Sequence, residues 1–340
     1  MRAAVLRSPG AGLSIEDVPT PSPGAGEARV RVIACGFCHT DLHYPDHGVA
    51  TAKPPPIILG HEIAGQVDAL GPGAEGIAVG ETVLVPAVLP CGRCAYCRTG
   101  RENICPQMRM VGNHVDGGFA EFLTVPAKDL VLLPSDIDPV AGCVIADALT
   151  TPYHAVVHRA KVREGERVAV VGCGGVGINL VQFAVGAGGL VVAIDLDPAK
   201  LDVARRLGAS ETINPKEIED VGKEIRRRWE DGVDVAMEAV GTPTTIALAF
   251  STLRRGGRLC LVGYSSAPAT LPAARVMFLE QSVVGSLGCR PADYPKVIDL
   301  VRRGRIQLGP VVTGRVRLEQ IGTAADRLRQ GVGFRTVVEP

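Results

Sequence analysis

The sequence predicts an α/β protein with a doubly wound parallel sheet, and two observations lead to that prediction. The first is the run from Val168 to Ile194, 27 residues without Asp, Glu, Lys or Arg. So long an uncharged run also has the length of a membrane span, but its seven glycines favour a buried strand, turn, helix and strand. The second is the pair of later strand-like segments VDVAMEAVG and GGRLCLVGY, which helical patterns separate, as such a sheet requires.

The glycine-rich turn of that unit has the spacing of a dinucleotide-binding turn. In VAVVGCGGVGINLVQFA, Gly172, Gly174 and Gly177 follow a strand and open a helix, so backbone amides at the helix start can receive a pyrophosphate. Asp195 stands at the end of the next strand, where a carboxylate accepts hydrogen bonds from the adenosine ribose and repels a 2′-phosphate. The sequence therefore predicts NAD as the coenzyme.

The composition indicates a globular chain of about two domains, because 340 residues with 46% hydrophobic and 21% charged content support a large core. Thirty-six basic residues balance thirty-six acidic ones, so nucleic acid and anionic lipid are disfavoured as partners and small molecules are favoured. The first ten residues, MRAAVLRSPG, hold too short an apolar run for a signal peptide. We therefore expect a cytoplasmic protein.

The ten cysteines are expected to be metal ligands or core residues rather than disulfides. Four of them lie within the 15 residues CGRCAYCRTGRENIC, a segment too rich in Gly and Arg to fold on its own core. Four thiolates suit a closed tetrahedral Zn²⁺ site that organises such a lobe. The predicted structural zinc ligands are Cys91, Cys94, Cys97 and Cys105.

A second group of potential ligands lies upstream, in ACGFCHTDLH and LGHEIAG. These segments supply Cys38, Thr40, His43 and, further on, His61 and Glu62. A catalytic zinc site uses three protein ligands and leaves one position open, so one Cys, one His and a further anionic residue would complete it. Neither segment alone identifies that third ligand.

Taken together, CHTD, GHE, the four-cysteine lobe, GCGGVG with Asp195, and the terminal FRTVVE resemble the zinc-dependent alcohol dehydrogenases of the medium-chain dehydrogenase/reductase superfamily, over essentially the whole chain. The resemblance implies a GroES-like, mainly β catalytic domain into which a Rossmann domain is inserted, with the active site between them. It places the catalytic domain at residues 1–148 and 290–340, with the zinc lobe at about 88–108, and the Rossmann domain at 149–289.

The resemblance also implies the third catalytic zinc ligand, which falls at Asp147 in CVIADALTTPYHAV. Alcohol dehydrogenases of this family usually have Cys there, whereas some polyol and sugar relatives have an acidic residue. Cys143 lies four residues earlier, out of register with TTPYHAV. With Cys38, His61 and Asp147, the charges of the ligands and of Zn²⁺ sum to zero. The alternative is that Asp147 is a helix cap.

Further roles follow from the same resemblance. Thr40 hydrogen-bonds the substrate oxygen and His43 passes its proton to solvent, while Glu62 is a neighbouring or transient zinc ligand. Ala87 stands where relatives that act on small primary alcohols have an aromatic residue, which implies room for medium-chain, cyclic or secondary alcohols. The expected coenzyme contacts come from His39, Gly172, Gly174, Gly175, Val176, Gly177, Asp195, Lys200, Val240, Val262 and Arg335.

The expectation is thus an NAD-linked alcohol dehydrogenase with two zinc ions per subunit. A homo-oligomer is expected to pair through ARVMFLEQSVVGSLG, with a tetramer favoured over a dimer. Three alternatives remain: a polyol or sugar dehydrogenase, a zinc-free relative that binds nucleotide without alcohol chemistry, and a zinc-stapled nucleic-acid binder. The balanced charge disfavours the last of these.

Overall fold

A computed structural model describes all residues, 1–340. The strands are β1 Arg2–Leu6, β2 Leu13–Asp17, β3 Glu27–Phe37, β4 Ile57–Ile58, β5 Glu62–Leu70, β6 Thr82–Val85, β7 Val88–Leu89, β8 Arg109–Met110, β9 Phe122–Pro126, β10 Val131–Leu132, β11 Arg167–Val171, β12 Leu190–Ile194, β13 Glu211–Ile213, β14 Val233–Glu238, β15 Leu253–Leu261, β16 Ser282–Gly285, β17 Val312–Arg317 and β18 Arg335–Glu339. The helices are α1 His39–His47, α2 Ala95–Arg98, α3 Pro139–Gly142, α4 Thr150–Tyr153, α5 Gly177–Gly186, α6 Pro198–Arg206, α7 Val221–Arg228, α8 Pro243–Ser251, α9 Ala273–Phe278, α10 Tyr294–Arg302 and α11 Ile321–Arg329.

Shorter helical turns connect these elements. The 3₁₀ helices are Glu102–Ile104, Ala127–Asp129, Cys143–Ala146, Pro215–Glu217, Pro291–Asp293 and Leu318–Gln320, and a π-helix spans His154–Ala160. No single helix is long and apolar enough to cross a bilayer, although the bent pair Pro139–Ala146 and Thr150–Ala160 meets that test by length and composition.

The chain divides into two compact units, Met1–Thr150 with Gly288–Pro340, and Thr151–Leu287. The expected boundaries at residues 148 and 290 differ from these by two residues on each side. The chain thus leaves the first unit, forms the second, and returns.

The first unit is built mainly from antiparallel strands. Its seven-stranded sheet has the order β10-β6-β5-β3-β18-β17, with β9 also paired to β3, and a separate three-stranded sheet has the order β2-β1-β4. Only β17 and β18 run parallel. Apolar residues of both sheets form one core, in which Phe37 stacks on Phe119 with ring centroids 5.3 Å apart. The C-terminal strand β18 pairs with the last residues of β3. The first candidate ligand, Cys38, follows β3 directly.

The second unit has six parallel strands in the order β13-β12-β11-β14-β15-β16. This order reverses at β11, and ligands of such sheets bind beyond the carboxyl ends of the strands at that point. The uncharged run from Val168 to Ile194 forms the strand β11, a turn, the helix α5 and the strand β12, as the sequence predicts. The predicted fold class, a GroES-like mainly β domain with a doubly wound parallel sheet, is confirmed.

Candidate active site and metal centres

Strand pairing brings the two upstream ligand segments together. Strands β3 and β5 are antiparallel neighbours, with Gly36 opposite Glu62, so His61 and Cys38 lie at one end of the same strand pair. Cys38 is the N-cap of α1, and its backbone N–H donates to the Asp41 carboxylate at 2.9 Å. This capping contact fixes the turn on which Cys38 is presented.

Asp147 joins this group from a distant segment. It follows the 3₁₀ helix Cys143–Ala146, and its Oδ2 lies 3.7 Å from Nε2 of His61. One donor atom from each of four residues lies within 4.8 Å of all the others, and those residues are Cys38, His61, Glu62 and Asp147. The alternative role of Asp147, as the N-cap of a helix, does not fit the structure. The next helix, α4, begins three residues later, at Thr150.

The two ring nitrogens of His61 face different partners. Nδ1 lies 3.4 Å from Oδ1 of Asp41, and Nε2 faces Asp147. Burial by itself lowers the pKa of His61, but Asp41, Asp147 and Cys38 more than offset this and raise the pKa well above its ordinary value. The site therefore has a negative potential that favours a cation at Nε2, and the Asp41 carboxylate lies on the Nδ1 side, where the partners of metal-bound histidines are found.

Glu62 is held by a buried arginine. Nε of Arg335 donates to both carboxylate oxygens at 3.0 Å, and its Nη2 donates to Oε1 at 2.8 Å and to Sγ of Cys38 at 3.3 Å. Burial lowers the pKa of Arg335, yet Cys38 and Glu62 raise it above its usual value, so the guanidinium stays charged. The coenzyme contact expected of Arg335 stays a prediction, and the contacts observed are with Glu62 and Cys38.

The donor set fits zinc. One thiol, one imidazole whose Nε2 faces the other donors and one carboxylate are the ligand types of an open catalytic site. Glu62 is the fourth donor within reach, but its two oxygens are hydrogen-bonded to Arg335. Residues Cys38, His61 and Asp147 would therefore hold the ion, and Glu62 stands beside it.

Thr40 and His43, which are expected to pass the substrate proton to solvent, lie on α1 directly after Cys38. Oγ1 of Thr40 lies 3.8 Å from Sγ of Cys38, so its hydroxyl stands next to the ligand group. His43 lies one turn further along α1 and is half-buried. Burial and the neighbouring His39 and His47 lower the pKa of His43, which keeps the ring neutral near pH 7.

The other cysteines near the site do not present thiolates to it. Cys143 is fully buried and donates to the carbonyl of Val140 at 3.3 Å. Burial, followed by the charge of Glu62, raises the pKa of Cys143 well above its usual value. Burial likewise raises the pKa of Cys35. Both are core residues in this structure.

Tyr294 is a positioning residue that the sequence did not reveal. It is fully buried, and its hydroxyl donates to the carbonyl of Ala146 at 2.6 Å and accepts from the N–H of Ala87 at 3.3 Å. It thereby connects the residue before Asp147 to the segment of Ala87, which is itself 3% exposed. A single tyrosine at the start of α10 has no motif around it, so no sequence signal indicates this role.

The four-cysteine lobe has the geometry of a tetrahedral metal site. The sulfur of Cys97 lies 3.4 Å from that of Cys94 and 3.9 Å from that of Cys91, and Cys94 and Cys105 are 3.8 Å apart. Zinc–sulfur bonds of about 2.3 Å in a tetrahedron separate sulfurs by about 3.8 Å. Hydrogen bonds from the backbone N–H groups of Arg93 and Cys94 lower the pKa of Cys91 to about 6. The sulfur–sulfur distances fit four cysteines around one zinc ion.

In the glycine turn of the second unit, the three motif glycines Gly172, Gly174 and Gly177 have different surroundings. Gly172 has φ +86° and no room for a side chain beside Val240, and Gly177 packs against the carbonyl of Gly172. A side chain at Gly174 would meet nothing within 4 Å, so that position is open to a ligand. This is the division of roles that a pyrophosphate turn requires.

Asp195 lies against this turn. Its Oδ2 accepts the N–H of Cys173 at 2.7 Å and its Oδ1 accepts the N–H of Asp197 at 2.9 Å. The carboxylate is thus fixed at the carboxyl end of β12, beside the open glycine. The remaining coenzyme candidates of this unit lie at intermediate or exposed positions, namely Gly175, Val176, Lys200, Val240 and Val262. His39, in the first unit, is exposed.

Comparison with known proteins agrees with these features. Residues 24–135 match the family model described as alcohol dehydrogenase GroES-like domain, and residues 175–303 match the model described as zinc-binding dehydrogenase. An alcohol dehydrogenase of Geobacillus stearothermophilus is 36% identical over 97% of this chain and 96% of its own length. The chain belongs to the zinc-dependent alcohol dehydrogenases of the medium-chain dehydrogenase/reductase superfamily.

Two further relatives bear on substrate and coenzyme. A sorbitol dehydrogenase of Bacillus subtilis (strain 168) is 33% identical over 97% of this chain and 94% of its own length. A crystal structure described as a zinc-binding dehydrogenase of Sinorhizobium meliloti 1021 bound to NADP covers 100% of this chain and 99% of its own, with a TM-score of 0.90 and 30% identity. Relatives of this fold thus differ in substrate and coenzyme.

Proposed function

We propose that the protein is an NAD-linked alcohol dehydrogenase that uses zinc to interconvert an alcohol and its aldehyde or ketone. The convergence of Cys38, His61 and Asp147 donor atoms in one site is the observation that carries the proposal. When bound, zinc supplies a Lewis acid that lowers the pKa of the alcohol, and NAD supplies the hydride acceptor. Medium-chain, cyclic or secondary alcohols are the proposed substrates.

In this proposal the chain's own residues hold and orient the reacting groups. Oδ1 of Asp41 lies 3.4 Å from Nδ1 of His61, which leaves Nε2 for the ion. The Thr40 hydroxyl, next to Cys38, hydrogen-bonds the substrate oxygen and receives its proton. His43 is the proposed acceptor that passes the proton to solvent, and its lowered pKa leaves the ring neutral and able to accept a proton.

A substrate panel tests the reaction. Initial rates with cyclohexanol, 2-butanol, 1-hexanol, ethanol, sorbitol and glucose, each with NAD and with NADP, should be highest for a cyclic, secondary or medium-chain alcohol with NAD. Highest activity with sorbitol or glucose would instead support a polyol dehydrogenase. Two observations favour that second candidate: the carboxylate of Asp147 among the candidate zinc donors and the relative named sorbitol dehydrogenase.

Coenzyme choice is proposed to depend on Asp195. Replacing Asp195 with Ser removes the acceptor for the ribose hydroxyls and the repulsion of a 2′-phosphate. We expect kcat/KM for NADP relative to NAD to rise by about tenfold or more, roughly 1.4 kcal/mol. Asp197→Ser is the matched control, because that carboxylate caps α6 by accepting the N–H of Ala199. Equal use of both coenzymes by the unmodified enzyme would contradict the proposed role.

Each chain is proposed to bind two zinc ions of different lability. The four-thiolate ion has no open position, whereas the Cys38 site has one, so a chelator should remove the latter first and stop turnover while the fold persists. Metal analysis should give two zinc ions in the wild type and one in Cys97→Ala. Cys260→Ala is the control, since Cys260 lies buried in β15. Two ions retained in Cys97→Ala would refute the assignment.

The proposal includes a homo-oligomer, with a tetramer favoured over a dimer. Its support is the edge strand β16 of the parallel sheet and the exposed apolar side chains before it, Met277 at 64% and Phe278 at 75% exposure. An unpaired strand edge beside apolar side chains is a surface that a second copy can cover. A cytoplasmic location stays a prediction.

A further inference from the structure

Three histidines follow one another along a single face of α1, at His39, His43 and His47. The ring centroids of His39 and His43 are 5.7 Å apart, and those of His43 and His47 are 5.3 Å apart. Residues four positions apart on a helix are neighbours on its surface. His39 is an expected coenzyme contact and His43 is the proposed proton acceptor, whereas His47 has no task in the proposed reaction.

His43 and His47 turn equivalent nitrogens toward each other. Their Nδ1 atoms are 3.1 Å apart. Two nitrogens that bind one ion at about 2.0–2.1 Å, with an angle between square and tetrahedral, lie about 2.9–3.4 Å apart. The pair therefore already has the spacing of a chelate, and a metal ion would replace the proton that the two rings otherwise share.

The surroundings of the pair favour a transition metal from solvent. His47 is exposed and His43 is half-buried, so an ion reaches both nitrogens without opening the fold. The neighbouring carboxylate, Asp46, is bound by Arg329 through both oxygens, at 2.6 and 2.8 Å. A purely imidazole donor set suits Zn²⁺, Ni²⁺ and Cu²⁺ and is a poor one for Mg²⁺ or Ca²⁺.

We propose that His43 and His47 form a two-nitrogen binding site for a divalent transition-metal ion, and that its occupation inhibits the dehydrogenase. The inhibition rests on the proposed function, in which His43 receives the substrate proton. An ion on Nδ1 of His43 takes the lone pair that would bind that proton and adds a positive charge beside the relay. Turnover falls while the ligands Cys38, His61 and Asp147 keep their own zinc.

Binding is tested first, by calorimetric titration of Zn²⁺ into the enzyme already loaded at its two expected zinc sites. The wild type should bind one additional zinc ion. His47→Ala should bind it about 10- to 100-fold more weakly, because the second ligand of a chelate acts at high effective concentration. His114→Ala, which removes another partly exposed histidine, should bind it as the wild type does, and Mg²⁺ should not bind. Equal zinc binding by wild type and His47→Ala would overturn the site.

Inhibition is tested second, with the same variants and added Zn²⁺ in the alcohol oxidation assay. Each variant is compared with its own rate before zinc is added, and in His47→Ala the zinc concentration that halves that rate should rise about tenfold or more relative to the wild type. Identical inhibition of both would overturn the link to the relay. If the wild type oxidises no alcohol, the proposed function fails, and the calorimetric comparison still decides the metal site.

Discussion

Asp147→Ala is expected to lose the open-site zinc and to lower kcat by about a thousandfold or more, since a Lewis-acidic ion supplies several kcal/mol of transition-state stabilisation. Two ligands, Cys38 and His61, would remain. We do not expect Glu62 to replace the carboxylate, because its charge is already paired with Arg335 through both of its oxygens. Metal analysis, kcat and the dissociation constant for NAD are the measurements, and NAD binding and the four-cysteine zinc should persist.

The control is Asp138→Ala, on the same segment of chain. Asp138 is the N-cap of α3 and accepts the N–H of Val140 at 3.1 Å, so its loss costs about 1 kcal/mol of stability and leaves the metal in place. Full zinc content and full activity in Asp147→Ala would show that Glu62 or Cys143 completes the site. Cys143 is poorly suited to that task, because its thiol is buried and bonded to Val140.

Two further substitutions separate charge from shape at this position. Asp147→Asn keeps the volume but removes the negative charge, so we expect weaker metal binding and much lower activity. Asp147→Cys restores a site with two sulfurs and one nitrogen, and should hold zinc at least as tightly as the carboxylate does. Zinc affinity should therefore be lowest with Asn, which is the only one of the three ligands without a negative charge. An Asn variant with wild-type zinc affinity would contradict this order.

The features that the sequence predicts well are those formed by neighbouring residues. The glycine turn is such a feature, because Gly172, Gly174 and Gly177 each act within one strand, turn and helix. The four-cysteine lobe is another, since all four donors lie within 15 residues. In both features the residues lie close together along the chain. The spacing in the sequence is therefore enough to predict the arrangement of the site.

Contacts between distant segments are predicted less well. The sequence assigns Asp147 through its register with TTPYHAV and the charge balance of the ligands, because no rule of spacing connects it to His61. The pair of Arg335 with Glu62 joins residues 273 positions apart, and FRTVVE gives no sign that its arginine turns inward. The cause is the pairing of β18 with β3, which is a property of the whole sheet.

Arg335→Met is expected to destabilise the protein strongly, by about 3–5 kcal/mol, because it leaves the carboxylate of Glu62 buried without its partner. The side chains of Arg335 and Glu62 are 2% and 0% exposed, so water cannot replace the guanidinium. Chemical denaturation of the zinc-loaded enzyme, followed by circular dichroism, measures the change. Because Arg335 also donates to Sγ of Cys38, weaker binding of the open-site zinc should accompany it.

Two comparisons distinguish a buried charge from the simple loss of an ion pair. Arg302→Met breaks the pair with Asp136, whose nitrogen–oxygen distance is also 2.8 Å but whose side chains are 50% and 52% exposed, and should cost about 0–1 kcal/mol. Adding Glu62→Gln to Arg335→Met removes the uncompensated charge and should recover a large part of the lost stability. If the double variant were no more stable than Arg335→Met, the cost would come from packing around the arginine, and the electrostatic account of this pair would be wrong.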